Sequence, residues 1–194
     1  MLMSVCAFFG FSTLARSQQI DVAVGAGTLI SSKNTNASQT YLPPPEKGGI
    51  YPSVTFDRIY KNRFGFSAEG SWRAKQTLYN YFQQYRPVLY DFNAVFAPRL
   101  GKQTSAILMA GAGGQSVLFY APYGPCYYAS GCVTHLNSTH FLIHVGAGVN
   151  YTVWRKVFVR PEAHYYRIVN NTDIFHSDNV VRVGVSVGYT FHTE

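Results

Sequence analysis

The chain has 194 residues, and its 16 Lys and Arg against 9 Asp and Glu give a formal net charge of +7. Charged residues make up only 13% and aromatic residues 16%, whereas an ordinary soluble domain has about twice that share of charge. No apolar run is long enough for a membrane-spanning helix. The basic residues are scattered rather than gathered in a stripe, so composition argues against a nucleic-acid partner.

The chain opens on a segment typical of an export signal. Leu2–Leu14 is an apolar run, and Ala15-Arg16-Ser17 resembles a cleavage site of the small-x-small type. No Lys or Arg precedes the run, which departs from the usual pattern. We predict a signal peptide over residues 1–17 and one domain over residues 18–194.

Eight later segments alternate apolar and polar residues with the period of a β-strand. In chain order they are Gln19–Ile30, Ile50–Tyr60, Gly65–Lys75, Pro87–Ala97, Thr104–Tyr120, Thr139–Val153, Val157–Val169 and Val180–Phe191. Short turns alternate with four long loops, which are Ser31–Gly48, Gln76–Arg86, Ala121–Ser138 and Asn170–Asp178. This asymmetry predicts an all-β fold, an eight-stranded antiparallel up-and-down transmembrane barrel.

The last segment shows the alternation most clearly. One face carries Val181, Val183, Val185, Val187, Tyr189 and Phe191, and the other Arg182, Gly184, Ser186, Gly188 and Thr190. An apolar row of this kind is typical of a lipid-facing strand. Aromatic residues near both strand ends predict two interfacial girdles, one with Tyr60, Phe96, Trp154 and Phe191 and the other with Tyr79, Tyr85, Phe119 and Tyr165.

The inward faces carry charged residues, which predict a polar network in the lumen. Its members are Glu69, Arg73, Asp91, Arg160, Glu162 and Arg182, accompanied by Asn93, His144 and Tyr166. A barrel of eight strands has an interior only wide enough for side chains. Isolated buried charges are costly, so we expect the acids to accept hydrogen bonds from the arginines and to close the lumen.

Two cysteines lie close together in one predicted loop. Cys126 and Cys132 are six positions apart, and an oxidising compartment favours a disulfide between them. A metal site that adds His135 is the alternative, although two Cys without well-placed His partners make a poor zinc site.

The alternation, the loop asymmetry and the terminal Gly188-Tyr189-Thr190-Phe191 resemble the small eight-stranded outer-membrane barrels of the OmpA/OmpX type. The resemblance covers about Gln18 to Phe191 and implies an integral protein of the outer membrane of a Gram-negative-type bacterium. It implies contact with membrane lipid and lipopolysaccharide, no cofactor, and insertion by the barrel assembly machinery. Tyr189 and Phe191 would form the assembly signal, although three residues follow Phe191 here.

The expected function is a non-enzymatic one, structural or in surface interaction, through the long loops. Some eight-stranded relatives modify lipid A, and Ser138 with His140 is the best Ser–His pair for such an enzyme, in reverse order. A narrow pore is the third possibility, which the small strand number argues against.

Overall fold

A computed structural model describes residues 18–31, 46–60, 63–79, 83–120, 126–127, 131–132, 135–175 and 177–193. The predicted signal peptide and most of the Ser31–Gly48 loop lie outside these residues. Eight long strands are present, namely β1 (Gln18–Ser31), β2 (Tyr51–Ile59), β3 (Phe64–Trp72), β4 (Gln83–Phe96), β5 (Thr104–Tyr120), β6 (His135–Trp154), β7 (Val157–Ile168) and β8 (Asn179–Thr193). No helix in the described part of the chain is long and apolar enough to cross a membrane.

Every strand pairs antiparallel with its neighbour in sequence, and the sheet closes on itself. The closing pair is β1 with β8, which runs in register from Gln18 opposite Thr193 to Ser31 opposite Val180. Closure leaves no strand edge open, which is what a bilayer demands of a spanning sheet. The predicted eight-stranded barrel is therefore confirmed.

The two ends of the barrel differ. We call the end with the connections β2–β3, β4–β5 and β6–β7 the turn end, and the opposite end the loop end. The described chain both starts and finishes at the turn end, at Gln18 and Thr193. One of its turns consists of Arg155 and Lys156 alone, between β6 and β7.

The barrel exterior is an apolar belt. Phe92 is 71% exposed, Phe66 64% and Val185 49%, and most other outward strand residues are Val, Ile, Leu, Ala or aromatic. The inward positions of the same strands are buried, so the predicted alternation of β8 is observed along its length. Such a large exposed apolar surface is the one that a membrane barrel presents to lipid.

Three of the predicted long loops differ from the structure observed at the loop end. Gln76–Arg86 is not a loop throughout, because Thr77–Tyr79 forms a short strand paired with the start of β4, which begins at Gln83. β6 begins at His135, three residues before the predicted loop ends. Asn170–Asp178 contains a short 3-10 helix over Asn171–Asp173. The strands thus extend beyond the apolar belt at the loop end.

The girdle predicted with Tyr79, Tyr85, Phe119 and Tyr165 is wrong at Tyr85, which instead packs with Phe175, a residue outside that prediction. Tyr85 is only 3% exposed and Phe175 is fully buried, so both rings point into the barrel mouth rather than toward lipid. Tyr79 contacts both rings, with centroids 5.9 Å from each. Tyr85 lies on the inner face of its strand, since Pro87 and Leu89 at the next alternate positions are also buried. An aromatic residue near a strand end therefore marks the membrane surface only when it lies on the outer face.

The predicted disulfide stays a prediction, since the Cys side chains lie outside what the structure describes. The backbone is compatible with it: Cys126–Tyr127 and Gly131–Cys132 form a two-stranded ribbon with Cys126 directly opposite Cys132. Opposed residues of an antiparallel pair have Cα atoms about 4.5–5.5 Å apart, within the range that a disulfide bridges.

We expect Cys126 and Cys132 to be oxidised in protein folded in an oxidising compartment. Intact-mass measurement after alkylation should show no labelled thiol until a reductant is added. Two alkylated thiols before reduction would contradict the expectation. The variant Cys126→Ser provides the control, because Cys132 should then react without reduction.

Candidate functional site

The lumen is the largest set of buried polar groups in the described chain. It contains five carboxylates, two guanidinium groups and two imidazoles, each with at most 7% of the residue exposed; these are Asp21, Asp57, Glu69, Asp91, Glu162, Arg160, Arg182, His144 and His164. They arise from alternate positions of most of the eight strands, so closure of the sheet brings together residues that are far apart in sequence.

Arg160 organises the part of the lumen nearest the turn end. Its Nη2 donates to Asp57 Oδ2 at 2.6 Å, and its Nε donates to Asn150 Oδ1 at 2.6 Å. The guanidinium carbon lies 5.1 Å from the centroid of the Phe158 ring. Asp57 was missed as a partner in the sequence analysis, although its position between outward-facing Phe56 and Arg58 already placed it on the inner face.

Arg182 organises the middle of the lumen. Its Nη2 donates to Glu69 Oε1 and lies 3.4 Å from Glu162 Oε1. The ring nitrogens of His164 lie between the same two carboxylates, with Nδ1 3.5 Å from Glu69 Oε2 and Nε2 3.6 Å from Glu162 Oε1. Glu69, Glu162 and His164 could in principle hold a cation. The Arg182 guanidinium already contacts both carboxylates there, and its positive charge opposes a second cation.

Two histidines continue this cluster toward Asp91. His144 Nε2 lies 2.9 Å from His164 Nδ1, and His144 Nδ1 lies 2.7 Å from Asn93 Oδ1. Because the Asn93 oxygen only accepts, His144 Nδ1 donates, and neutral His144 therefore accepts from His164. Gly146 leaves room for this contact, since a Cβ atom there would lie 3.0 Å from each of the two nitrogens and would press on both rings.

Arg73 does not join these groups and lies half-buried at the mouth of the loop end. Its guanidinium carbon is 6.0 Å from the ring centroids of both Tyr51 and Tyr85. The nearby Glu46 is fully buried and accepts a 2.6 Å hydrogen bond from Gln115. Burial raises the pKa of the Glu46 carboxyl to about 7, against the lowering effects of the Gln115 hydrogen bond and the Arg73 charge.

Aromatic rings close the mouth above Arg73. Tyr85, Phe119 and Phe175 pack with Tyr79, whose hydroxyl donates to the Ile174 carbonyl at 2.5 Å. Val117 is fully buried in the same cluster. The lumen is therefore covered at the loop end by side chains from β4, β5 and the β7–β8 connection.

Ser138 and His140 do come together at the loop end. Ser138 Oγ lies 2.9 Å from His140 Nε2, and His140 Nδ1 lies 3.2 Å from the Val169 carbonyl oxygen. A carbonyl only accepts, so Nδ1 carries the proton and Nε2 is free to accept from the serine hydroxyl. Within the described residues no carboxylate contacts His140, so the acid of a catalytic triad is not supplied.

The terminal aromatics lie on the lipid-facing side of β8. Tyr189 is 42% and Phe191 48% exposed, and their ring centroids are 4.7 Å apart. Their part in assembly stays a prediction.

Arg160 gives a direct test of the buried ion pairs. We expect Arg160→Ala to lower the free energy of unfolding by about 3–5 kcal/mol, because Asp57 is left charged, buried and unpaired. Arg155→Ala, which removes the same side chain from an exposed turn, should cost less than about 1 kcal/mol. The unfolding free energies of both variants are measured by urea titration of the barrel in detergent micelles. The folded fraction at each urea concentration is determined from gel mobility before and after boiling.

A double-mutant cycle makes that test specific. The variant with both Arg160→Ala and Asp57→Ala should lose less stability than the sum of the single losses, since the charge pair is lost only once. Additive losses, or an Arg160→Ala variant as stable as the parent, would contradict the pairing.

The sequence matches no protein-family model and no curated protein at a significant level. Three solved structures resemble the barrel. The major outer membrane protein of Thermus thermophilus is 9% identical, with a TM-score of 0.61 over 90% of this chain and 99% of that one. Neisserial surface protein A is 12% identical, with a TM-score of 0.59 over 90% and 97%. Ail, the attachment invasion locus protein of Yersinia pestis, was solved with the heparin analogue sucrose octasulfate and is 12% identical, with a TM-score of 0.54 over 91% and 99%. The chain therefore has the fold of the small outer-membrane β-barrels.

Proposed function

We propose that this protein is a non-enzymatic integral barrel of the bacterial outer membrane that interacts with molecules outside the cell through its loop end. The observation that carries the proposal is the filled lumen. Ion pairs and hydrogen bonds occupy its middle, and aromatic rings cover its loop-end mouth. Recognition is thereby left to the loops and the strand ends around them.

The filling of the lumen also argues against the narrow pore. Arg160, Arg182 and Tyr166 are among the largest fully buried side chains and all point inward. An interior this narrow, filled by these side chains and crossed by the ion pairs of Arg160 and Arg182, argues against a continuous water path. We therefore propose a structural role for the polar network, which is to stabilise the closed sheet.

The proposed orientation places the turn end in the periplasm and the loop end outside the cell. Short periplasmic turns and longer extracellular connections are the usual arrangement of outer-membrane barrels. The apolar belt then contacts membrane lipid and lipopolysaccharide. We further propose that Tyr189 and Phe191 are read by the barrel assembly machinery.

The exposed basic side chains at the loop end support the binding of an anionic ligand there. Lys47, Lys75 and Arg167 are exposed there, whereas the buried Glu46 is withdrawn from solvent. Ail binds a sulfated heparin analogue in its crystal structure. We propose that sulfated or phosphorylated glycans bind this basic surface, which we define as Lys47, Lys75 and Arg167.

Cells that display the barrel provide the test. Labelled heparin should bind to them, and the triple variant Lys47→Gln, Lys75→Gln, Arg167→Gln should lose most of that binding because its three positive charges are removed. Flow cytometry at low and high salt measures the effect, and high salt should weaken binding to the parent protein.

The matched control is Arg99→Gln, Lys102→Gln, Lys156→Gln, which removes one Arg and two Lys from the turn end. In intact cells the turn end is shielded from added heparin, so this variant should bind as the parent does. Equal loss in both triple variants, or no heparin binding by the parent, would refute the proposed ligand class.

The hydrogen-bonded Ser138 and His140 support a second candidate, an ester hydrolase acting on acyl chains of the outer leaflet. The main proposal expects no reaction of purified barrel with a fluorophosphonate probe. Labelling that disappears in Ser138→Ala and falls in His140→Ala would favour the enzyme instead. Thr139→Ala, on the outward side of the same strand, is the control.

A further inference from the structure

Acidic and basic residues are separated in this fold. The described lumen holds five buried carboxylates, while most of the 16 basic residues of the chain are outside it. At the turn end six basic side chains are exposed, and no exposed acidic side chain accompanies them among the described residues. We call these six the basic ring, and they are Arg58, Arg63, Arg99, Lys102, Arg155 and Lys156.

We propose that the basic ring binds the phosphodiester head groups of anionic phospholipids in the leaflet that surrounds the turn end. In the proposed orientation this is the inner, periplasmic leaflet of the outer membrane. The inference rests on the membrane location proposed above, and it adds a ligand class at the end opposite to the surface proposed for glycans.

The ring lies at head-group depth. Arg155 is 5.2 Å from the centroid of Trp154, a ring that is 66% exposed. Arg58 is 5.7 Å from the centroid of Tyr60. Aromatic side chains of this kind sit at the boundary between hydrocarbon and head groups, so the cations beside them are level with lipid phosphates.

The ring residues are spread around most of the barrel, from β2 to β7, rather than forming one patch. Arg58 and Arg63 flank the β2–β3 turn, Arg99 and Lys102 are in the β4–β5 turn, and Arg155 and Lys156 form the β6–β7 turn. These turns alternate around the closed sheet with the connections of the loop end. A distribution around most of the barrel suits a shell of lipid, whereas a protein partner would contact one side.

Among the described residues, no carboxylate neutralises the ring cations. None of the six makes an ion pair with any described carboxylate, and the side-chain hydrogen bonds of Arg58 go to the neutral amide of Gln18 at 3.1 and 2.7 Å. Arg63 and Arg155 also take positive φ values of 70° and 48°, where Gly or Asn is favoured. Phosphate oxygens are acceptors that suit exposed guanidinium and ammonium groups without a carboxylate partner.

The two tryptophans of the chain allow each end to be probed separately. Trp154 is in the turn end beside the ring, and Trp72 ends β3 at the loop end. Trp72→Phe leaves Trp154 as the reporter, and Trp154→Phe leaves Trp72. Each single-tryptophan barrel is reconstituted in nanodiscs that contain brominated phosphatidylglycerol or brominated phosphatidylcholine at the same mole fraction, and fluorescence quenching is measured.

We expect brominated phosphatidylglycerol to quench Trp154 about two- to five-fold more than brominated phosphatidylcholine does. A preference of this size is the effect of a single basic residue near an anionic surface. The preference should approach unity in about 1 M salt, where screening is strong. It should fall in Arg99→Gln, Lys102→Gln, Lys156→Gln and persist in Lys47→Gln, Lys75→Gln, Arg167→Gln, which has the same change of charge.

No preference at Trp154 in the parent barrel, or one that the ring variant leaves unchanged, would overturn the inference. Sedimentation with isolated peptidoglycan that depends on the ring, without a lipid preference, would assign the ring to a cell-wall polymer and also overturn it. If the barrel shows heat-dependent gel mobility but no lipid preference, lipid binding by the basic ring is refuted and the proposed barrel function is not. Absence of heparin binding by cells that display the parent barrel, together with a lipid preference that depends on the ring, refutes only the loop-end function. Failure to insert would refute both.

Discussion

Closure of the sheet between β1 and β8 is the constraint on which the rest of the structure depends. In a bilayer an unpaired strand edge would leave backbone donors and acceptors without partners, so the first and last strands must meet. With eight strands the resulting tube has room only for side chains. Each inward residue is therefore packed against residues from strands far away in sequence, and each inward charge must find its partner among them.

The lumen meets this demand with two arginines that each contact more than one acceptor. Arg160 joins β7 to β2 and β6, and Arg182 joins β8 to β3 and β7. The bonds of Arg160 to Asp57 and of Arg182 to Glu69 join strands that are not neighbours in the sheet, whereas the other two join neighbouring strands. The lumen has three more carboxylates than guanidinium groups, and the hydrogen-bonded His144 and His164 lie beside this excess of negative charge. The outer surfaces carry the opposite sign at both ends.

The two ends of the barrel serve different surroundings. At the turn end the strands finish close to the apolar belt, so charged side chains lie beside exposed aromatic rings such as Trp154. At the loop end the strands continue beyond the belt, and Tyr85 and Phe175 turn inward to cover the lumen. This separation allows one small barrel to fill its lumen with side chains and still present two basic surfaces.

The sequence by itself determined the strand number, the antiparallel order and the face of most residues, because alternation with period two and turn spacing are local properties. It also placed Glu69, Asp91, Arg160, Glu162 and Arg182 on inner faces. Only the tertiary structure decided which charges meet, since the stagger between neighbouring strands sets the height of each side chain in the tube. Arg160 therefore pairs with Asp57, more than 100 residues away, rather than with an acid nearby in sequence. The position of Arg73 at the mouth and the packing of Tyr85 against Tyr79 and Phe175 likewise depended on the loop end, which local patterns do not encode.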